Sequence, residues 1–143
     1  MADLVITAAN VAEGSSGTTV VTNYKAGATI TQGQLVYLDP TTSTWKLTDA
    51  NGGAPLNVSD VSTQIGVALA SVSSGQRLPV QTAGPYTVGA TVAVGTWYVV
   101  SATPGGIAPV ADQASGWTAT LFGQAISTTQ INITPVKNGV AVP

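Results

Sequence analysis

Few side chains in this sequence can act as nucleophiles, bases or metal ligands. The chain has no His and no Cys, four basic residues and six acidic residues. Without imidazole or thiol groups it can form no Ser-His-Asp or Cys-His triad, no ordinary zinc site and no disulfide. The acidic residues are spread singly along the chain and give a glycosidase-like carboxylate pair no support. We therefore predict a protein that is not an enzyme and has no catalytic, cofactor-binding or metal-binding residues.

Two short motifs match known sites only in form. Ser43-Thr44-Trp45-Lys46 fits the S-x-x-K pattern of serine acylating enzymes, but that chemistry needs both side chains on one helical face. A predicted strand places residues three apart on opposite faces. Asp49-Ala50-Asn51-Gly52-Gly53 resembles the start of a calcium loop, yet it lacks the fifth-position ligand and the distant Glu. A hairpin turn is the better interpretation of this second motif.

The aromatic residues allow two interpretations. Three Trp and four Tyr could stack on sugars, but aromatics in a chain of this size are usually core or interface anchors. Tyr37 and Tyr98 fall at matching points of an internal repeat described below, which favours a packing role. Trp117 follows Ser115-Gly116 at a loop edge and is the better candidate for an exposed contact. A carbohydrate-binding or host-adhesion module of a head fibre or tail therefore stays an alternative function.

The shortage of charge points to contact with other macromolecules. Charged residues make up 7% of the chain, against about 25% in a typical soluble domain. Interface cores are depleted in charge because desolvating a charge is unfavourable, so we expect much of this surface to be covered in the working state. The alternative is a monomer kept soluble by its many Thr, Ser, Gln and Asn residues.

The same composition bears on partners and location. The net charge of −2 gives no basic field for nucleic acid. No apolar run reaches the roughly 18 residues that cross a bilayer, so we expect no membrane partner. The N-terminal residues lack the pattern of a signal peptide. We therefore expect the chain to fold in the cytoplasm of the cell that makes it.

Residue types and spacing predict an all-β protein. There are 21 Thr and 19 Val, which favour strands, and no segment has a convincing helical period. The predicted strands are Leu4–Ala8, Thr18–Asn23, Gln34–Leu38, Thr44–Leu47, Ile65–Ala70, Arg77–Gln81, Thr96–Ser101, Thr118–Ala125 and Gln130–Pro135. Turns are predicted at Asn51-Gly52-Gly53, Ser74-Gly75, Pro104-Gly105-Gly106 and Asn138-Gly139, with a weak helical turn at Asn57–Thr63. Many short strands of this kind indicate a sandwich or a barrel-like domain.

An internal repeat divides the chain into two related β units. Gly27-Ala28-Thr29-Ile30-Thr31-Gln32-Gly33 is echoed by Gly89-Ala90-Thr91-Val92-Ala93-Val94-Gly95. Ile65-Gly66-Val67-Ala68 is echoed more loosely by Phe122-Gly123-Gln124-Ala125. We predict one β domain over residues 27–136, built from units 27–81 and 89–136 whose apolar faces pack together. The repeated glycines are expected to supply turns with positive φ.

The termini lie outside the repeat. Residues 1–26 contain the apolar run Leu4-Val5-Ile6, followed by the linker-like Ala12–Gly17. This segment is either an edge strand of its own domain or an extended arm that pairs with a neighbouring subunit. Residues 137–143 are predicted to be a C-terminal tail with the same ambiguity.

Several short sequence segments together resemble those of a known protein family. They are Gly27–Asp39, Thr44-Trp45-Lys46-Leu47, Ile65-Gly66-Val67-Ala68, Gly75–Gly84 and Gly95–Ser101. In these segments and in its general composition, the chain is similar to the small capsid decoration, or cement, proteins of tailed bacteriophages. The similarity extends over roughly Tyr24 to Val140. Residues 1–23 and the insertion-like 51–61 lie outside the resemblance, which carries no catalytic residues.

The resemblance implies a virion protein displayed on the outer surface of the capsid and made in the bacterial host. It implies a homo-oligomer, commonly a trimer, that reinforces contacts between major capsid proteins. Within that interpretation we expect Leu4, Val5 and Ile6 in the terminal segment, and Trp117 near a loop, to make protein contacts.

Overall fold

A computed structural model describes residues 3–14, 19–50 and 64–141 of the chain. The described chain is almost entirely β, with two 3-10 turns at Ala8–Asn10 and Val110–Asp112, which confirms the predicted fold class. Within these ranges no helix has the length and apolarity needed to span a bilayer. The predicted turn at Asn51-Gly52-Gly53 and the helical turn at Asn57–Thr63 lie outside the described residues.

The strands follow the predicted ones closely in the middle of the chain. They are β1 Val20–Ala26, β2 Leu35–Asp39, β3 Thr44–Leu47, β4 Ile65–Ala68, β5 Arg77–Thr87, β6 Trp97–Val100, β7 Ile107–Pro109, β8 Thr118–Ala125 and β9 Gln130–Ala141. The bounds of β3 and β8 are those predicted. The short β7 was not predicted, and the expected strand Leu4–Ala8 is not a regular strand.

The first unit, together with β1 from the segment before it, is a closed five-stranded barrel, and β1 is counted with this unit from here on. Its strand order is β1-β3-β2-β4-β5, and β1 pairs with β5 to close the ring. The β1–β5 pairing is antiparallel from Val20 to Lys25, whereas β1 and β3 are parallel. Closure leaves no free edge within this unit, because each of its strands has a neighbour on both sides.

The second unit repeats the pairing of the first. Strand β6 pairs with β7 and β8, and β8 with β9, as β2 pairs with β3 and β4, and β4 with β5. Hydrogen bonds match as well: the Gly33 N–H donates to the Ala68 carbonyl and the Gly95 N–H to the Ala125 carbonyl, both at 2.8 Å. The two units therefore share this pattern of strand pairing.

The long strand β5 belongs to both units. Its first half, Arg77–Ala83, pairs with β1 and β4 in the barrel, and its second half, Gly84–Thr87, pairs with β9. Strand β1 ends directly before Gly27, the first residue of the repeated sequence, and β5 ends two residues before its counterpart Gly89. The second half of β5 is therefore the counterpart of β1. Gly84, at the junction, has a φ of +86°, a conformation that glycine adopts without strain.

The core has two parts because the barrel strands are covered on both faces. One cluster fills the barrel around Val36, Trp45 and Leu78. The larger cluster lies between the units and joins residues of β2, such as Leu35, with Tyr98 and other residues of the second unit. Leu35 and Val36 point to opposite faces of β2, and both are fully buried. The two units thus pack their apolar faces together.

Three details differ from the sequence analysis. The turn predicted at Asn138-Gly139 is wrong, because β9 runs on to Ala141 and pairs with Thr118 and Thr120 of β8. Of the repeated glycines, Gly33, Gly89 and Gly95 have positive φ, as predicted, but Gly27 does not. Tyr37 and Tyr98 are both buried, but they are not at equivalent positions of the two units. Gly66 pairs with Val36, and its counterpart Gly123 pairs with Tyr98, so the residue equivalent to Tyr98 is Val36, one position before Tyr37.

Candidate interaction surface

The terminal contact candidates lie against the second unit. Leu4 and Ile6 are half-buried and pack on the larger core cluster, whereas Val5 between them is 89% exposed. This alternation is that of an extended chain with one face covered. The structure thus separates the three residues: Leu4 and Ile6 pack on the core, and Val5 faces outward.

Trp117 is not an exposed contact residue. Its side chain is buried, with 7% of its surface exposed, and belongs to the larger core cluster. The expectation of exposure was wrong because a position at a loop edge does not show whether the side chain turns outward or packs into the core. Any contact with another protein would have to come from its neighbours.

Among residues 3–14, 19–50 and 64–141, the exposed apolar side chains concentrate in the terminal segment and the second unit. The large ones in these ranges are Val5, Val94, Val136, Val20, Ile126, Val110 and Tyr24. Of these seven, two, Val20 and Tyr24, belong to the barrel. The sequence carries no charged residue from Leu78 to Ala111 or from Gln113 to Val136. In the second unit, exposed valine and isoleucine therefore sit on a background almost without charge.

Backbone hydrogen bonds hold two of these residues beside each other. The Gly95 N–H donates to the Ala125 carbonyl at 2.8 Å. Val94 precedes Gly95 and Ile126 follows Ala125 on the antiparallel chain, so the two residues are neighbours across this hydrogen bond. The Gln124 Nε2 adds a bond of 2.9 Å to the Gly95 carbonyl. Val94 is 64% exposed and Ile126 47%. Both side chains thus project from one rigid, hydrogen-bonded end of the second unit.

A shallow cleft continues this end of the unit. Its volume is about 390 Å³, and its lining residues are uncharged: Val5, Thr7, Asn10, Thr87, Gly89, Ala90, Thr91 and Thr129. Thr129, in the cleft lining, belongs to the turn that follows Ile126. The Val92 N–H donates to the Thr128 carbonyl in that turn at 2.9 Å and so ties the turn to the chain before Val94. We call Val94, Ile126 and this cleft the uncharged surface.

In the part of the chain that the structure describes, the other polar groups form no arrangement that points to a reaction. Lys46 donates to the Oδ2 of Asp39 at 2.6 Å, and this bond is the first cause of the raised pKa of Lys46 and the lowered pKa of Asp39. The Lys46 ammonium is thus paired with the Asp39 carboxylate. Among the described residues no cluster of three possible metal ligands occurs.

A second cleft carries one acidic side chain. It has a volume of about 300 Å³ and lies between the terminal segment, the loop at Gly33 and the turn at Gly105. Asp3 is the acidic residue in its lining, and its Oδ1 accepts a hydrogen bond of 2.6 Å from the hydroxyl of Ser101. The carboxylate is thus used in attaching the terminal segment to the second unit.

Most aromatic side chains are internal. The buried ones are Tyr37, Trp45, Tyr86, Tyr98, Trp117 and Phe122. Trp97 is half-buried and Tyr24 is 38% exposed. Tyr24 lies edge-on to Trp45 with ring centroids 6.1 Å apart. A sugar-stacking platform needs several exposed ring faces, and the described residues do not present them together.

Val94 and Ile126 did not emerge as contact candidates from the sequence. The available signal was the long uncharged stretch on either side of Asp112, which marks the second unit as a whole. Apolar alternation alone does not show which face of a strand another unit covers, so the individual exposed residues needed the three-dimensional structure.

Comparison with protein-family models, with curated proteins and with solved structures found no match for this chain. The functional argument therefore rests on the chain's own geometry: a rigid β body that presents exposed apolar residues on a nearly uncharged unit.

Proposed function

We propose that this chain is a virion structural protein that binds the outside of a bacteriophage capsid and stabilises contacts between major capsid proteins. It would act as a homo-oligomer, with a trimer favoured. The observation that carries the proposal is the uncharged surface, because it can be covered by another protein without desolvating a charge.

The energetics of this surface suit a repeated contact. Covering a valine or isoleucine side chain fully contributes about 1.5–3 kcal/mol, and Val94 and Ile126 are only partly exposed. A single copy would therefore gain modest binding energy from them. Copies joined in an oligomer and repeated over a shell add their contacts through effective concentration, so modest individual contacts are sufficient.

The rigidity of the body supports the same role. The barrel has no free strand edge of its own, and the two units share both strand β5 and the larger core cluster. A protein that resists the opening of a shell must transmit force without local unfolding, and few weak junctions favour this. The alternative function, glycan binding or host adhesion, draws no support from the mainly internal aromatics.

The direct test adds purified protein to shells that lack it. We expect saturable binding with a fixed number of copies per shell and a higher temperature at which the shells open. Shells that bind no protein, or that bind it and open at an unchanged temperature, would remove the proposal. Binding to a glycan array without binding to shells would favour the adhesion alternative instead.

A further inference from the structure

The two units differ in how they are closed. In the first unit β1 lies between β5 and β3, and the Gly27 N–H at its end donates to the Trp45 carbonyl of β3 at 2.8 Å. The counterparts in the second unit are the second half of β5, Gly89 and β7. Among the described strands β7 pairs only with β6, so the direct closure of the first unit has no equivalent in the second.

Residues 3–12 occupy the place of this missing closure. The Leu4 N–H donates to the Ile107 carbonyl of β7 at 2.8 Å, and the Thr7 N–H to the Gly89 carbonyl at 2.9 Å. Ala12 and Thr87 form an antiparallel bridge with bonds of 3.2 and 3.0 Å. The terminal segment thus joins β7 to the end of β5, as β1 joins β3 to β5 in the barrel.

The segment is seated by small apolar contacts as well. Ile6 and Val11 lie so close to Gly33 and Gly89 that a Cβ at either glycine would come within 3.0 Å of the Val11 Cγ2. Val11 is buried, and its carbonyl accepts a bond of 2.8 Å from the Gln32 Nε2. The segment therefore fills a preformed slot between the units through main-chain bonds and a few methyl groups.

We propose that this slot is a strand-accepting site whose exchangeable occupant is residues 3–12 of a second copy of the chain. Every contact named above is preserved when the segment comes from a neighbour, so the chain connection and the local concentration decide which copy supplies it. The four backbone groups at Ile107, Gly89 and Thr87 stay paired in either case, which they would not if the segment were simply released.

The connection permits this exchange. Between the seated segment and β1 the sequence reads Gly14-Ser15-Ser16-Gly17-Thr18-Thr19, a composition typical of linkers. From Gly14 to Val20 such a connection spans at most about 20 Å. This reach is enough for a copy in direct contact and too short for a distant one. Exchange would therefore join copies that are in direct contact.

Two single-cysteine variants test the exchange on the full-length chain. The chain has no cysteine of its own, and Ala12 and Thr87 are mutually hydrogen-bonded across an antiparallel pair, a geometry with Cα atoms near 5.5 Å that suits a disulfide. Ala12→Cys and tagged Thr87→Cys chains are refolded together, oxidised and separated by mass without reduction. We expect the mixed dimer to exceed the same-variant dimers by about fivefold or more.

The barrel supplies a matched control. Lys25 and Arg77 are exposed partners on β1 and β5, so Lys25→Cys and Arg77→Cys chains mixed in the same way should form mixed dimers only at the random level. Two results together would overturn the proposal. The Ala12→Cys and Thr87→Cys chains would also form mixed dimers only at the random level, and the Ala12→Cys/Thr87→Cys double variant would form its disulfide wholly within one chain. No shells are present in these measurements, so their outcome is independent of capsid binding.

Discussion

The side-chain oxygen of Gln81 accepts a hydrogen bond from the backbone N–H of Gly14 at 3.0 Å, across 67 positions of sequence. Its Nε2 lies 3.1, 3.2 and 2.8 Å from the carbonyl oxygens of Ala83, Gly84 and Pro85. The side chain is fully buried. One amide therefore anchors the end of the terminal segment to the bend where β5 passes from the barrel into the second unit.

Gln81→Leu should destabilise the chain more than an average surface change. The substitution keeps the volume but removes the side-chain bonds to the Gly14 N–H and to the three carbonyls. Leaving a buried donor unpaired costs about 1–3 kcal/mol. We expect a loss of about 2–4 kcal/mol in the free energy of unfolding by urea denaturation. Gln64 is exposed, so Gln64→Leu should stay within about 0.5 kcal/mol of the parent. Equal effects of the two changes would contradict the anchoring role.

Two buried tyrosines should respond to Phe in opposite directions. The Tyr86 hydroxyl is buried and has no hydrogen-bond partner among the described residues, whereas the Tyr98 hydroxyl accepts a bond of 3.1 Å from the Ala93 N–H. Removing the unpaired buried hydroxyl of Tyr86 relieves its desolvation penalty, so we expect Tyr86→Phe to raise the free energy of unfolding by about 1 kcal/mol. Tyr98→Phe removes a hydrogen bond and should lower the free energy of unfolding by about 1 kcal/mol. Urea denaturation at pH 7 measures both. A destabilised Tyr86→Phe chain would be inconsistent with this arrangement.

Alkaline stability should depend on Tyr86. Burial raises the pKa of this phenol far above its ordinary value of 10.0, so the folded chain holds the proton while the unfolded chain releases it near pH 10. Unfolding then becomes easier as the pH rises above about 10, by up to about 1.4 kcal/mol per pH unit for this group. Urea midpoints from pH 9 to 12 should fall less steeply for Tyr86→Phe than for the parent. Parallel curves would show that Tyr86 ionises in the folded state.

Gly66 and Gly123 should not tolerate a side chain. They are counterparts in the two units, and a Cβ would lie 2.4 Å from the Gln81 carbonyl oxygen at Gly66 and 2.2 Å from the Asn132 carbonyl oxygen at Gly123. Because backbone on the adjacent strand must shift, we expect each Ala variant to lose about 3 kcal/mol. Gly75 has a φ of +89° but open space around it, so Gly75→Ala measures backbone strain alone, about 1–2 kcal/mol. Thermal or urea unfolding that ranks Gly75→Ala as the most harmful of the three would contradict the crowding.

Acid should remove the contribution of the Asp39–Lys46 pair. The hydrogen bond from Lys46 is the largest cause of the lowered pKa of Asp39, so the stabilisation is complete above the unfolded pKa of about 3.9 and is lost as the pH falls through the lower folded value. Asp39→Asn keeps an acceptor for the Thr41 N–H without the charge. The difference in urea midpoint between parent and variant should shrink from pH 7 to pH 2.5. A constant difference over that range would assign the effect to packing.

The sequence predicted the middle of the fold better than its ends. Strands β3 and β8 had their observed bounds because β-branched runs there are flanked by turn residues. Asn138-Gly139 has strong turn propensity, yet β9 continues through it because pairing with Thr118 and Thr120 outweighs local preference. Strand β7 is only three residues long and exists through its pairing with β6, which no local pattern signals.

The interaction surface was less predictable than the fold. Leu4, Val5 and Ile6 looked equivalent in sequence, and only the slot between the units separates the outward Val5 from its neighbours. Trp117 was misplaced for the same reason. Exposure depends on which faces the second unit and the terminal segment cover, and these contacts join residues far apart in the chain, such as Leu4 and Ile107.

Charge placed on the uncharged surface tests the central claim most directly. Ile126 on the second unit and Val20 on the first are equally exposed, at 47% and 48%, so Ile126→Lys and Val20→Lys should affect folding alike. With shells that lack the protein, we expect Ile126→Lys to bind at least about tenfold more weakly than the parent, because covering the new ammonium is unfavourable, and Val20→Lys to bind like the parent. Equal binding of all three chains would contradict the assignment of the second unit as the contact surface.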